Sequence, residues 1–491
     1  MPRILAPLHL PAPTIMTPQP LPPTPLPPRS PAQQPLLWLI AIGLLMQMLD
    51  STIVNTALPA IARDLNASPL KMETVVISYM LTVALLMPAS GWLADRFGIR
   101  RIYLLAIALF TLGSVLCAYS QTLGQLVASR VVQGVGGAML MPVGRLAILR
   151  TATREELLAA LSFIVLPAAI GPLLGPFLGG WLAERFSWHW IFLINVPIGL
   201  LGLALTLRIM PPLRAESVQP FDWLGFGLFA AGIMLVSLAL EGLGELGWAF
   251  SLSAWMLIVG AGLLTSYWLH AMRASSPLFP PDLFRINSFA VGILGNLFAR
   301  LGSGGVPFLL PLMLQLGLHY TPTQAGLMLV PMALAALVAR LGVGKLVSRF
   351  GYRRLLTVNT LIVGILIASF ASVAFEPPMW LLLVQLALLG YANGLQFTLM
   401  NTVTLLDLDG AHASSGNSLL SVTMQLSMSL GVAASAALLG GFARALGETD
   451  VLEVFPYTFL SIGVMGMVAA AIFLQLQRDS RSAGREEVAD L

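Results

Sequence analysis

Few side chains in this sequence sit where they could do chemistry. Asp50 lies in the stretch LLMQMLDSTIVNTALP, a carboxylate deep in an apolar run that shares a helical face with Gln47 and Val54. An ionisable group at mid-membrane costs about 2.5–3.5 kcal/mol on insertion scales, which makes it a functional candidate. Low dielectric penalises a charged carboxylate, so such an acid can take up and release a proton. A structural acid permanently paired to backbone or to an arginine is the alternative. Arg130 and Gln133, three residues apart and hence on one helical face, occupy a second apolar run. Arginine stays charged and cannot itself carry the proton, but opposite Asp50 it would hold the carboxylate in one conformation and release it in another. Hydrogen bonding to helix-end carbonyls is its structural alternative. Asn296, Arg300 and Ser303 follow i, i+4, i+7 and form one polar stripe; Gln385, Asn393 and Gln396 form another. A third stripe, Ser414, Ser418, Ser421, Gln425 and Ser429, reads as small-residue helix packing. Gly171, Gly175 and Gly179 recur every four residues beside Gly180, Pro172 and Pro176, a ridge that lets two helices approach closely and shift.

The elements holding these residues are expected to be membrane spans. The chain has 491 residues, 57% hydrophobic and only 10% charged, where soluble domains carry roughly 25% charged residues. Polar side chains are too few to cover a soluble surface, so lipid must cover much of it and a soluble enzyme is excluded. Fourteen apolar runs follow one another from 36–58 to 455–475, each long enough to cross about 30 Å of hydrocarbon as a helix. The fold expected is an all-α integral membrane protein of 14 transmembrane helices. Residues 1–35 form a proline-rich tail read as disordered and lacking a secretory-signal pattern. Of the 26 Lys and Arg, most fall in the two tails and in alternate loops; only Arg63, Lys71, Arg185 and Arg444 fall in the others. The positive-inside rule therefore places both termini in the cytoplasm. The acidic loop TLLDLDGAH does not follow that rule. Trp188, His189 and Trp190 read as an anchor at the outer interface, and Arg340, near the end of its run, as a side chain snorkelling to headgroups.

Other chemistries lack support. The single cysteine, Cys117, lies in an apolar run and reads as a packing residue, which leaves no disulfide framework and no cysteine metal pair. No metal or cofactor is expected, and HExxH, GxSxG and Walker A patterns are absent from the sequence. The net charge of +4 comes from short inter-span loops, so nucleic acid is not an expected partner.

Gly91-Trp-Leu-Ala-Asp-Arg-Phe-Gly-Ile-Arg-Arg101 and Gly344-Lys-Leu-Val-Ser-Arg-Phe-Gly-Tyr-Arg-Arg354 align without a gap, sharing seven of eleven residues at an offset of 253. Each follows the second span of a six-span set, so the chain divides into 36–210, an inserted pair within 211–287, and 288–475, followed by a cytoplasmic tail, 476–491. The glycines Gly91, Gly98 and Gly351 suit close backbone approach and positive φ, while Arg96, Arg101 and Arg349 would lie at the inner surface. Asp95, replaced by Ser348 in the second copy, is expected to cap a helix end or pair with Arg96 or Arg101 as an inner latch.

These copies resemble the loop 2–3 signature of the major facilitator superfamily. Four other stretches are similar to motifs of its fourteen-span drug:proton antiporter branch, and within it to MdtD-like bacterial exporters. They are Leu49–Pro59, Arg130–Gly137 (RVVQGVGG), Gly171–Gly180 (GPLLGPFLGG) and Trp188–Gly199. The resemblance implies two six-helix bundles working by alternating access, plus an inserted helix pair. It implies a role for Asp50 near the transport path, assigns Arg130 to proton transfer, and ties the glycine ridge to antiport. It implies a cavity lined by the first, fourth, seventh and tenth core helices, where Gln133, Asn296, Arg300, Asn393 and Gln396 would face substrate. The expected partners are a small-molecule substrate, protons and the bilayer of a bacterial inner membrane, with the protein a monomer. The expected function is proton-coupled multidrug efflux. Arg130 and Arg300 against one Asp50 leave such a cavity positive, which favours the alternative of organic anions or metal-anion chelates such as iron citrate.

Overall fold

In hydrocarbon every backbone N–H and C=O must be satisfied within the segment, so long apolar runs have the helix as their stable form. A computed structural model describes residues 34–477 apart from 154–155, 217, 219, 244–249, 376, 409–412 and 448–450. The tail 1–33, the end of the chain from 478 and most of the acidic loop's second half lie outside the described residues. Each of the fourteen apolar runs falls on a helix. In chain order these are α1 (Gln34–Asp64), α2 (Glu73–Phe97), α3 (Ile99–Ala118), α4 (Leu123–Thr151), α5 (Leu157–Arg185), α6 (Trp190–Ile209) and α7 (Trp223–Leu243). Then come α8 (Phe250–Ala271), α9 (Asn287–Gly317), α10 (Pro322–Phe350), α11 (Tyr352–Val373), α12 (Met379–Leu405), α13 (Ala413–Leu446) and α14 (Phe455–Phe473). Over the described residues, thirteen helices are long and apolar enough to cross a membrane by length and composition.

Local chemistry sets the boundaries. Thr122 caps α4 by accepting from the Gln125 N–H, and Thr321 with Gln324 forms a capping box on α10, whose first residue is Pro322. Gly98 (φ 95°) and Gly351 (φ 72°) end α2 and α10 and turn the chain directly into α3 and α11. These are the positive φ values the repeat calls for. Its leading glycines differ from expectation, because a Cβ on Gly91 or Gly344 would meet nothing within 4 Å. The turns there are made by Gly98 and Gly351 alone. α9 is broken at Gly304–Gly305 and ends in a π turn, Met313–Gly317.

Helices α1–α6 pack among themselves, as do α9–α14, and two seams join the sets: α5 against α10 and α2 against α13. α7 and α8 pack on one another, with α7 also touching α13 and α2. Their most apolar windows are only 28% and 17% buried, against 67% for α1 and 72% for α9. The inserted pair packs mainly on itself and meets the helix sets through α7, which makes it peripheral, while α1 and α9 run through the interior. Both repeat turns lie at one end of the molecule, called here the motif end. At the opposite end α5 meets the start of α10: a Cβ on Gly180 would collide with the Pro322 carbonyl, and one on Gly326 with the Pro176 carbonyl. Two hydrogen bonds also cross between the sets at that end, from the Thr323 N–H to Glu184 (2.9 Å) and from Gln315 to the Thr56 carbonyl (2.8 Å).

Candidate functional site

Asp50 is the centre of a polar cluster built by α1, α3, α4 and α6. Its Oδ2 accepts from Arg130 at 2.7 Å, and its Oδ1 accepts from Gln133 at 2.7 Å and from Asn195 at 2.9 Å. Asp50 is 0% and Arg130 1% exposed, so the pair is out of contact with solvent. Arg130 and Gln133 make further bonds, whereas the Asn195 Oδ1 and the Tyr79 hydroxyl are buried without a hydrogen-bond partner among the described residues. Arg130 donates to the Val75 carbonyl (3.2 Å) and to Gln133 Oε1 (2.6 Å), and Gln133 donates to Ser114 (2.8 Å). The guanidinium also lies 4.2 Å from the Tyr79 ring centroid and 5.8 Å from that of Phe192. A buried ion pair is tolerable only when such hydrogen bonds satisfy both charges. Cys117 is buried beside the cluster, its Sγ 3.7 Å from Gln133 Oε1.

The glycine ridge bears on this cluster through α1. A Cβ on Gly171 would press on Met48 and Leu49, one on Gly175 on Thr52 and Ile53, and one on Gly179 on Ile53 and Thr56. Thr52 Oγ1 also donates to the Gly171 carbonyl (3.2 Å). Gly180 and Pro176, on the same helix, meet α10. Pro172 faces outward. α5 is thus packed between the helix that bears Asp50 and the second helix set, and its glycines allow the close approach.

Across the molecule, Arg300 lies in α9 just before the Gly304–Gly305 break. It is 8% exposed, donates from Nε to Asn296 Oδ1 (3.2 Å) and stands 5.1 Å from the Phe397 ring centroid. Its Nη2 is buried without a hydrogen-bond partner, and no carboxylate pairs with it among the described residues. Arg340 is exposed and also lies 5.6 Å from the same Phe397 ring centroid, so two guanidinium groups stand near one aromatic side chain.

The other expected positions divide. Asn393 is half-buried on α12, but Gln396 turns to α11, accepting from Asn359 (2.7 Å) and donating to Thr360 (2.7 Å). Gln385 likewise donates to Ser369. Those two glutamines therefore serve contacts between α11 and α12, where the neighbouring helix offers polar partners. Ser421 donates to the Asn417 carbonyl of its own helix, while the side chain of Ser414 lies outside the described residues. At the motif end, Asp95 pairs with Arg150 of α4 rather than with Arg96 or Arg101. Arg96 instead lies over Trp92, Arg101 is exposed, and Arg349 lies over Phe350. Trp188 is a second correction: it is 3% exposed and its indole N–H donates to Asp64 (2.8 Å), leaving Trp190 at the surface. Sequence reasoning did not single out Asn195, Ser114 or Tyr79. Asn195 was detectable as the one amide within the Trp188–Gly199 motif.

Comparison with known proteins bears on the whole assembly. The sequence matches the model of the Major Facilitator Superfamily over residues 40–275 and 292–490. Relatives that carry the name "Putative multidrug resistance protein MdtD" include the following two. That of Pectobacterium carotovorum subsp. carotovorum (strain PC1) is 49% identical over 447 residues, spanning 90% of this chain and 96% of the relative. That of Serratia proteamaculans (strain 568) is 46% identical over 447 residues, spanning 90% and 94%. Among solved structures, the POT family transporter PepTSo superposes with a TM-score of 0.66 at 14% identity, covering 91% of this chain and 97% of its own. The D-xylose-proton symporter gives 0.62 at 14%, covering 89% and 96%. At such identities the superpositions speak for the fold alone, and they agree with the helical multi-pass membrane protein read from composition. On the family match and the near-full-length relatives together, the chain is an MdtD-like transporter, not an enzyme, and belongs to the major facilitator superfamily.

Proposed function

We propose that the protein exports small molecules across the bacterial cytoplasmic membrane in exchange for protons, an efflux of the multidrug-resistance type. The observation that carries this reading is the solvent-free cluster in which Asp50 is held by Arg130, Gln133 and Asn195. Alternating access requires residues 36–210 and 288–475 to rock as two bundles, with 211–287 as a peripheral link. α5 touches α1 through its glycines and α10 through Gly180, so rocking at the α5–α10 seam displaces α1 relative to α4. That displacement separates Asp50 from Arg130. The freed carboxylate then takes a proton, and re-pairing with Arg130 expels it. The contacts between Glu184 and Thr323 and between Gln315 and Thr56 close the opposite end, so access in this state runs from the motif end. The excess of Lys and Arg supports a cytoplasmic location for that end and for both termini. We take the protein to act as a monomer.

The test is reconstitution in inside-out vesicles with an acidic lumen, following lumenal pH as cationic drugs are added. Substrate-dependent proton release by wild type and none by Asp50→Asn is the expected result. Proton release that survives in Asp50→Asn overturns the assignment of Asp50.

A second reading of the substrate rests on Arg300. Asp50 and Arg130 neutralise one another, which leaves Arg300 as a buried cation with an unpartnered Nη2. That arrangement favours organic anions or anionic metal chelates. Citrate with and without iron belongs in the same assay, and Arg300→Ala should weaken anion exchange while sparing cations. An unchanged anion rate excludes this reading.

A further inference from the structure

The two copies of the repeat have the same turn but different surroundings. In the first, the start of α3 is covered from within the chain: the Ile99 N–H donates to the Leu213 carbonyl (2.9 Å) and Arg100 donates to the Leu207 carbonyl. Asp95 pairs there with Arg150 from the end of α4. In the second, Ser348 replaces Asp95 and donates to the Lys345 carbonyl of its own helix (2.9 Å). The carboxylate appears instead at Asp407, just past the end of α12.

Arg349, Arg353, Arg354 and Asp407 line a cleft of about 1730 Å³ at the motif end, between α9, α10, α11, α12 and the residues after α14. None of the four makes an ion pair among the described residues. The charged lining is therefore net positive by two, three guanidinium groups against one carboxylate. Arg353 and Arg354 stand in the first turn of α11, which has no acidic residue, so they add to the positive end of the helix dipole rather than offset it. Ser288 lines the same cleft with 7% exposure, and its hydroxyl has no hydrogen-bond partner among the described residues. The remaining wall includes Val343, Val347, Leu406 and Leu474. A free phosphate needs none of that apolar wall and little of that volume.

We propose that this cleft binds the headgroup of an anionic phospholipid, with its phosphate on Arg353 and Arg354, its polar headgroup near Ser288 and its glycerol end on the apolar wall. Basic pockets between helices at a membrane surface have the chemistry such lipids need. The proposal requires only that the motif end lie at a membrane surface. It stands apart from proton coupling and from the orientation of the termini, and a binding readout tests it without transport.

The full-length protein, purified in detergent, is offered phosphatidylglycerol or phosphatidylcholine, and bound lipid is counted by native mass spectrometry. Phosphatidylglycerol is expected to be retained preferentially, and Arg353→Gln/Arg354→Gln to weaken its retention by about thirtyfold. Arg208→Gln/Arg214→Gln removes as much charge from the motif end of the first helix set and should leave retention unchanged. Should the double variant at 353 and 354 fail to fold, Ser288→Ala is the second probe, expected to lower retention several-fold. Equal retention of the two lipids, or retention unaffected in folded variants of both kinds, overturns the proposal. Displacement of the lipid by millimolar inorganic phosphate also overturns it, since the site is then one for a free anion.

Discussion

The carboxylate of Asp50 and the guanidinium of Arg130, 80 residues apart in sequence, meet at 2.7 Å with neither side chain in contact with solvent. Removing one partner of such a pair leaves a buried charge uncompensated, at a cost of about 3–5 kcal/mol. Asp50→Asn should therefore lower the unfolding temperature in detergent as well as abolish substrate-driven proton release. The double substitution Asp50→Asn/Arg130→Met removes both charges and should recover most of the stability without recovering proton release. Thermal unfolding and lumenal pH, measured on the same preparations, separate the two effects. A double variant that still exchanges protons would show that the pair is structural.

The glycines of α5 differ from those of the repeat in what surrounds them. A methyl group at Gly175 would collide with Thr52 on the helix that bears Asp50, whereas one at Gly91 enters open space. Gly175→Ala should destabilise by about 1–3 kcal/mol, the usual range for overpacking a tight contact. Gly91→Ala should be neutral or slightly stabilising, by up to about 1 kcal/mol, because alanine is the better helix former. Unfolding midpoints of the two variants provide the check. Equal losses would mean that α1 and α5 do not pack as described.

Legibility from sequence followed the range of the forces involved. The fourteen runs were readable because span length and apolar content are local properties, and Gly98 and Gly351 because a positive φ selects glycine at a single position. Asp50 and Arg130 were readable as isolated charges in apolar runs, whose cost demands a partner. Partner choice was not readable where a residue had several reachable neighbours. Asp95 selects Arg150 across a helix pair over Arg96 next to it in sequence, because side chains of adjacent residues in a helix point apart. Gln396 was misplaced for a similar reason: a polar stripe records which face is polar, but not whether that face meets a cavity or the amide of Asn359.

Arg300 sets stability against function. Its guanidinium is buried beside Phe397 with no carboxylate paired to it among the described residues, so the folded protein bears a desolvation cost that a neutral side chain of similar length would avoid. Arg300→Met should raise stability by about 1–3 kcal/mol while reducing exchange of any anionic substrate. Unfolding and transport measured together test this. A variant that loses stability would mean that the guanidinium has a compensating partner in the membrane-embedded protein.

The Asp95–Arg150 pair calls for the opposite balance. Its side chains are 35% and 27% exposed, and an ion pair so hydrated is worth about 0–1 kcal/mol. Asp95→Asn and Arg150→Gln should each change the unfolding free energy by no more than that. If the pair favours one conformation of the transport cycle, a bias of about 1 kcal/mol changes the population ratio about fivefold. Transport should then slow several-fold in either variant without stopping, unlike the complete loss expected for Asp50→Asn. Exposure also makes the pair sensitive to salt, because the screening length falls from about 10 Å at 0.1 M to about 3 Å at 1 M. Wild type and Asp95→Asn should therefore converge in transport rate as ionic strength rises on the motif side of the membrane. A difference that persists undiminished at high salt would show that Asp95 acts through a hydrogen bond or helix end rather than through its charge.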